Sequence, residues 1–120
     1  MKLKNIQLET MMNSLAPLLQ RRDKIGYIAA RNYRLFNNTL TEFFIFKNDL
    51  FKKYGTENKE DNTIFISQES IHFNEFIDEL NTIAEIEHEV DFMTIPYNDV
   101  VGLLSGEEIL DVDWMLTEAE

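Results

Sequence analysis

Apolar residues recur every three or four positions through most of the first half of the chain, the spacing that places them on one face of a helix. Leu8, Met11, Met12, Leu15, Leu18 and Leu19 predict a first helix that begins near Gln7 or Leu8. Pro17 removes one helical hydrogen bond and disfavours the α conformation at Ala16, so this helix kinks there or ends early. Ahead of it, Lys2 to Ile6 reads as a short strand, with Leu3 between lysines. The dominant stretch runs from Asp23, a plausible N-cap, to Gly55, a plausible helix stop, and predicts one long central helix. Ile25, Ile28, Asn32, Leu35, Thr39, Phe43, Phe46, Leu50 and Tyr54 mark one face, and Phe36, Leu40, Phe44 and Phe51 an adjoining one. The run Phe43-Phe44-Ile45-Phe46 points all the way round the cylinder and predicts cover on more than one side. About 30 helical residues would make a rod of roughly 45 Å. In so short a chain such a rod is bent, or part of it meets a partner chain.

The second half changes period repeatedly. Thr56 to Asn62 reads as a polar loop, and the β-branched, apolar Thr63-Ile64-Phe65-Ile66-Ser67 as a strand. Ser67 or Ser70 can cap a helix whose stripe is Phe73, Phe76, Ile77, Leu80, Ile83 and Ala84. From Glu87 the period becomes two, which predicts a strand ended by Pro96. In that strand His88, Val90, Phe92 and Thr94 face one way, and Glu87, Glu89, Asp91, Met93 and Ile95 the other. Asn98 or Asp99 starts a short turn. Ser105 and Glu108 then form a capping box for a last helix carrying Ile109, Val112, Trp114, Met115 and Leu116, frayed at Glu118 and Glu120. The expected fold is α+β and helix-dominated, a single domain over residues 1–120. One long central helix and three or four shorter ones surround a small two- or three-stranded sheet near residues 2–6, 63–67 and 87–95.

Composition narrows the class. An apolar fraction of 44% with 12% aromatic residues argues for a packed core and against disorder. The absence of cysteine excludes disulfides, thiolate metal sites and a cysteine nucleophile. No apolar run approaches the ~18 residues of a membrane span, which points to a soluble, cytoplasmic protein with no membrane partner. Charge divides the chain. Met1 to Gly55 holds 10 Lys and Arg against 4 Asp and Glu, and Thr56 to Glu120 one lysine against 18 acids, so the halves carry +6 and −17. The halves are expected to pair, with Lys24 to Arg34 holding the acidic half. Six cannot cancel seventeen, so acidic surface remains for a basic partner.

Candidate chemistry is sparse. The cluster Glu85-x-Glu87-His88-Glu89-x-Asp91 offers oxygen ligands and an imidazole, yet on a strand Glu87, Glu89 and Asp91 share a face that His88 does not. No metal or cofactor is therefore assigned. Arg21, Arg22, Lys24, Arg31 and Arg34 with Tyr27 and Tyr33 resemble a nucleic-acid patch, but the acidic excess argues against direct binding of phosphate. His72 and His88 are the only histidines, and no nucleophile motif accompanies them, so the chain is not read as an enzyme. Two surfaces remain. The acidic face Glu75, Asp78, Glu79, Glu85, Glu87, Glu89 and Asp91 is a candidate binding site, and Phe43, Phe44, Phe46 and Phe51 a candidate interface.

Ala29-Ala30-Arg31-Asn32, Leu50-Phe51-Lys52-Lys53-Tyr54-Gly55, Phe76-x-x-Glu79-Leu80 and Ile86-Glu87-His88-Glu89-Val90 follow one another along the chain. In this the sequence resembles a family of short, uncharacterised proteins of tailed phages and prophages. The resemblance implies action inside a bacterial host or in virion assembly, and attaches no role to any residue. The expected function is protein binding, as an inhibitor of a host or anti-phage defence protein whose basic groove receives the acids in place of nucleic acid. The other expectation is an assembly protein that forms homo-oligomers through the long helix.

Overall fold

Residues 1–58, 63–66 and 71–118 are described by the computed structural model, and they form a helix-dominated α+β fold. β1 (Lys2–Lys4) leads directly into α1 (Asn5–Leu15), which starts two residues before the expected Gln7. α1 ends ahead of Pro17, and one 3-10 turn over Ala16–Leu18 takes the proline near its start, where its missing N–H costs little. α2 (Lys24–Thr39) opens on Asp23, whose carboxylate accepts from the Gly26 amide at 3.2 Å. α3 (Thr41–Tyr54) leads into an antiparallel pair, β2 (Thr56–Asn58) and β3 (Thr63–Phe65). Then come α4 (Phe73–Ala84) and β4 (Glu87–Glu89), which lies antiparallel to β1. β5 (Ile95–Pro96), α5 (Gly106–Asp111) and β6 (Leu116–Thr117) complete the chain, with β5 parallel to β6.

The stretch from Asp23 to Gly55 is two helices and not one. Leu40, at φ −90° and ψ 1°, lies between them. The i to i−4 bonds continue across it, from Leu40 N–H to Phe36 O at 2.8 Å and from Phe44 N–H to Leu40 O at 2.9 Å, so the break is a bend. The hydroxyls of Thr39 and Thr41, on either side of it, donate back to Leu35 O at 2.8 Å and Asn37 O at 3.0 Å, a contact that often accompanies helix bending.

The strand expected from Glu87 toward Pro96 also divides, because Asn32 takes over its middle. The Asn32 side chain accepts from Met93 N–H at 2.7 Å and donates to Met93 O at 2.9 Å, in place of a neighbouring strand. Beyond this clasp the alternation fails, and Ile95 is fully buried instead of facing water with Glu87 and Glu89. Thr56–Asn58 is a strand, not part of a loop. Among the described residues the small sheet is accordingly three separate two-stranded pairings. Ser67 and Ser70, expected caps of α4, lie outside the described residues, and α4 starts behind His72. The capping box of α5 is present, Ser105 N–H to Glu108 Oε1 at 2.9 Å and Glu108 N–H to Ser105 Oγ at 3.1 Å. The last helix is short. Val112 follows its end, and Trp114, Met115 and Leu116 come from a 3-10 turn over Asp113–Met115 and from β6.

The main core joins the first half to the tail. Leu8, Leu15, Leu18, Ile28, Phe36 and Leu40 pack with Ile95, Val100, Val112 and Met115. Phe36, Phe92 and Trp114 stack with ring centres 5.1–6.1 Å apart, and Trp114 Nε1 donates to Ser14 Oγ at 3.1 Å. Phe51 on Phe76, 5.0 Å between ring centres, forms with Tyr54 and buried Leu50 a second cluster between α3 and α4. The result is elongated, 54 × 33 × 22 Å, with a radius of gyration of 17.3 Å. A compact chain of this length would have about 14 Å.

Candidate protein-binding surface

α4 places its acids by simple phase. Glu75 and Asp78, three residues apart, are exposed on α4 and Glu85 follows its end, while Glu79 is half-buried and faces α3. β4 adds Glu87 and Glu89. The predicted acids follow α4, the turn after it, β4 and the residue beyond Val90, all exposed except half-buried Glu79, and they are not in one electrostatic state. Glu79 receives Lys53 Nζ at 3.3 Å and the Tyr54 hydroxyl at 3.0 Å. Glu85 pairs with Lys4, Glu89 with the N-terminal amine, and Glu75 lies 3.6 Å from His72 Nδ1. Among the described residues Asp78, Glu87 and Asp91 make no ion pair, and all three are exposed. The hydrogen bond to Glu85 holds the Lys4 ammonium above its usual pKa, and the Tyr54 hydroxyl followed by Glu79 does the same for Lys53.

The halves therefore do pair, through Lys4–Glu85, Lys24–Asp99 and Lys53–Glu79. Lys24 to Arg34 is not the clamp that its charge suggests. Only Lys24 reaches an acid of the second half; Arg31 and Arg34 are exposed and, among the described residues, in no ion pair. Arg21 turns back onto Asp23 and donates to Leu103 O at 3.2 Å. Tyr27 is exposed and Tyr33 half-buried.

The aromatic run of α3 is covered on one side only. Phe43 is buried, Phe44 and Phe51 are half-buried, and Ile45 and Phe46 are 53% and 56% exposed. Phe46 has a specific position, on the lip of an apolar groove of about 250 Å³ lined by Phe43, Phe46, Ile83, Ile86, Glu42 and His88, with Asn5 and Thr39. It is built by the α2–α3 join, the end of α4, β4 with the residue before it, and the first residue of α1. Asn5, 4% exposed, ties them together. Its amide donates to Ile83 O at 2.8 Å, and its oxygen lies 2.8 Å from His88 Nε2. Glu85, Glu87 and Glu89 line an adjoining polar cleft with Lys2 and the same His88.

Sequence reasoning found the acids and Phe46, but it missed Asn5, Glu42, Ile83 and Ile86 as parts of one groove. Ile83 carried a helical-stripe signal; Asn5 and Glu42 carried none. Among the described residues no group of three acids or histidines is placed to hold a metal ion, and no helix is long and apolar enough to cross a membrane. The arrangement can hold an apolar side chain beside cations. No family model, curated protein or solved structure matches the chain.

Proposed function

We propose that the chain is a small protein-binding module of tailed-phage or prophage origin, acting in the bacterial cytoplasm on a host or phage protein. Its acids enter a basic groove of the kind that holds nucleic acid, and so inhibit the partner. One observation carries this reading: the acids along α4 and β4 are exposed apart from half-buried Glu79, and of the lysines near them Lys4 and Lys53 each form an ion pair with one, while Lys2 lies opposite Glu89 without forming one. Complementary charge of this kind speeds encounter and selects partners more than it adds affinity. The phage origin is supported by the resemblance of the motifs.

The test is charge reversal at Glu75, Asp78, Glu87 and Asp91, none of which pairs with a lysine or arginine among the described residues. The fourfold lysine variant is expected to keep its circular dichroism spectrum and to lose the partner recovered from host lysate at low salt. Undiminished recovery contradicts the reading. A second reading, an assembly protein that self-associates through α3, is favoured by exposed Ile45 and Phe46. It requires more than one chain by light scattering at micromolar concentration, and a monomer there contradicts it.

A further inference from the structure

Among the described residues β4 is paired along one edge only, and the register shows which groups the other presents. Val90 N–H donates to Met1 O at 2.9 Å and Asn5 N–H to Ile86 O at 3.0 Å. With Leu3 opposite His88, the hydrogen-bonded pairs are Met1–Val90, Leu3–His88 and Asn5–Ile86. The N–H and C=O groups of Glu87 and Glu89 therefore point away from β1, and among the described residues nothing bonds to them. Such an edge is a template for another strand.

The side chains beside this edge specify what would fit. Glu87 and Glu89 stand exposed on one face, and His88 and Ile86 on the other, over the groove behind Phe46. The strand already paired with β4 displays the complement. β1 reads Lys2-Leu3-Lys4, with Lys2 opposite Glu89, Lys4 opposite Glu87, and Leu3 opposite His88 and only 7% exposed. Opposite charges directly across a ladder stabilise it and like charges destabilise it. The open edge offers the same glutamate–histidine–glutamate alternation, and its middle residue, His88, lines the apolar groove. At about 250 Å³ that groove is smaller than a typical small-molecule site of ~300–1,000 Å³, and suits one large side chain. Glu42, which lines the groove, has no ion-pair partner among the described residues, which adds to the preference for cations.

We propose that the outer edge of β4 receives an extended segment of another protein with the pattern cation–apolar–cation. The segment completes a three-stranded sheet by main-chain bonds to Glu87 and Glu89, and its apolar side chain fills the groove beside Phe46. This deepens the reading that the acidic face binds a basic partner, and rests on it.

The probe is an acetylated, fluorescein-labelled peptide with Lys-Leu-Lys flanked by glycine and serine, titrated with the full chain by fluorescence anisotropy at low and high salt. Saturable, salt-sensitive binding is expected. It should weaken tenfold or more when the two lysine amides of the peptide are N-methylated, which removes the donors facing β4 and leaves charge and leucine in place. Phe46→Asp, at an exposed position, and the pair Glu87→Lys with Glu89→Lys should each weaken it as much, with circular dichroism unchanged. No binding at micromolar chain overturns the proposal. So does binding indifferent to N-methylation and to Phe46→Asp; if Glu75→Lys with Asp78→Lys then abolishes it, the acidic-face reading stands and only the edge is wrong. A dimer by light scattering that Glu87→Lys with Glu89→Lys dissociates, in a chain that binds no peptide, places a second copy on the edge, and also overturns it.

Discussion

Gly26 has no room for a side chain: a Cβ there would lie 2.1 Å from the Arg21 carbonyl oxygen. The turn before α2 folds back onto the helix at this point, so Gly26→Ala must displace backbone. A loss of about 1–3 kcal/mol is expected from such overpacking, read as a lower urea midpoint. Asn32 is the other residue on which the local path depends. Its position on the buried face of α2 was legible from spacing, but its chemistry was not, since periodicity cannot say that a buried amide will hold Met93 at both its N–H and its C=O. Asn32→Leu leaves both Met93 groups unpaired, and should destabilise by about 1–3 kcal/mol for each group that water does not reach. Asp23 gives a pH signature. The Arg21 hydrogen bond, helped by the Gly26 amide, holds its carboxyl below the usual range, against a smaller opposing effect of burial. A folded pKa below the unfolded value of about 3.9 means stability present above roughly pH 4 and lost as pH falls through the lower folded value. Asp23→Asn keeps a capping oxygen but cannot titrate, so its acid-unfolding curve should lack that component.

At the scale of elements, α1, the α4 stripe and the α5 capping box were readable because each is written in local spacing. The bend at Leu40 was not. The apolar stripe of α2 and α3 runs through it without a break, and the threonine hydroxyls on either side bond to their own helix. If those bonds hold the bend, Thr39→Ala with Thr41→Ala straightens the join, seen as a change in the relative alignment of α2 and α3 in residual dipolar couplings; unchanged alignment assigns the bend to packing. The pairing of β1 with β4 was beyond local reading, because it joins residues more than eighty positions apart. The α3–α4 cluster of Leu50, Phe51, Tyr54 and Phe76 lies apart from the main core. Amide hydrogen exchange should show the far ends of these helices opening at lower free energy than α1 and the first turns of α2. Phe76→Ala, which removes a ring 4% exposed, should cost about 3–5 kcal/mol and speed exchange there first.

For the whole molecule, charge asymmetry was the most informative property of the sequence, yet it misled about what holds the halves together. Exposed ion pairs such as Lys24–Asp99 contribute about 0–1 kcal/mol each, whereas burying one Phe36-sized ring contributes about 1.5–3 kcal/mol. The interface between first half and tail is hydrophobic, and the acids are left to the surface. Their placement from Glu75 to Glu89 next to the groove could be seen only once α3 and β1 were brought against them. The direct test of the account is an amide chemical-shift titration of the chain with a basic, leucine-containing peptide at low salt. Shifts concentrated at Glu42–Phe46 and Ile83–Glu89, and reversed by salt, are the predicted result. Shifts spread evenly over acids of the tail such as Asp99 and Asp111, or none at all, would contradict it.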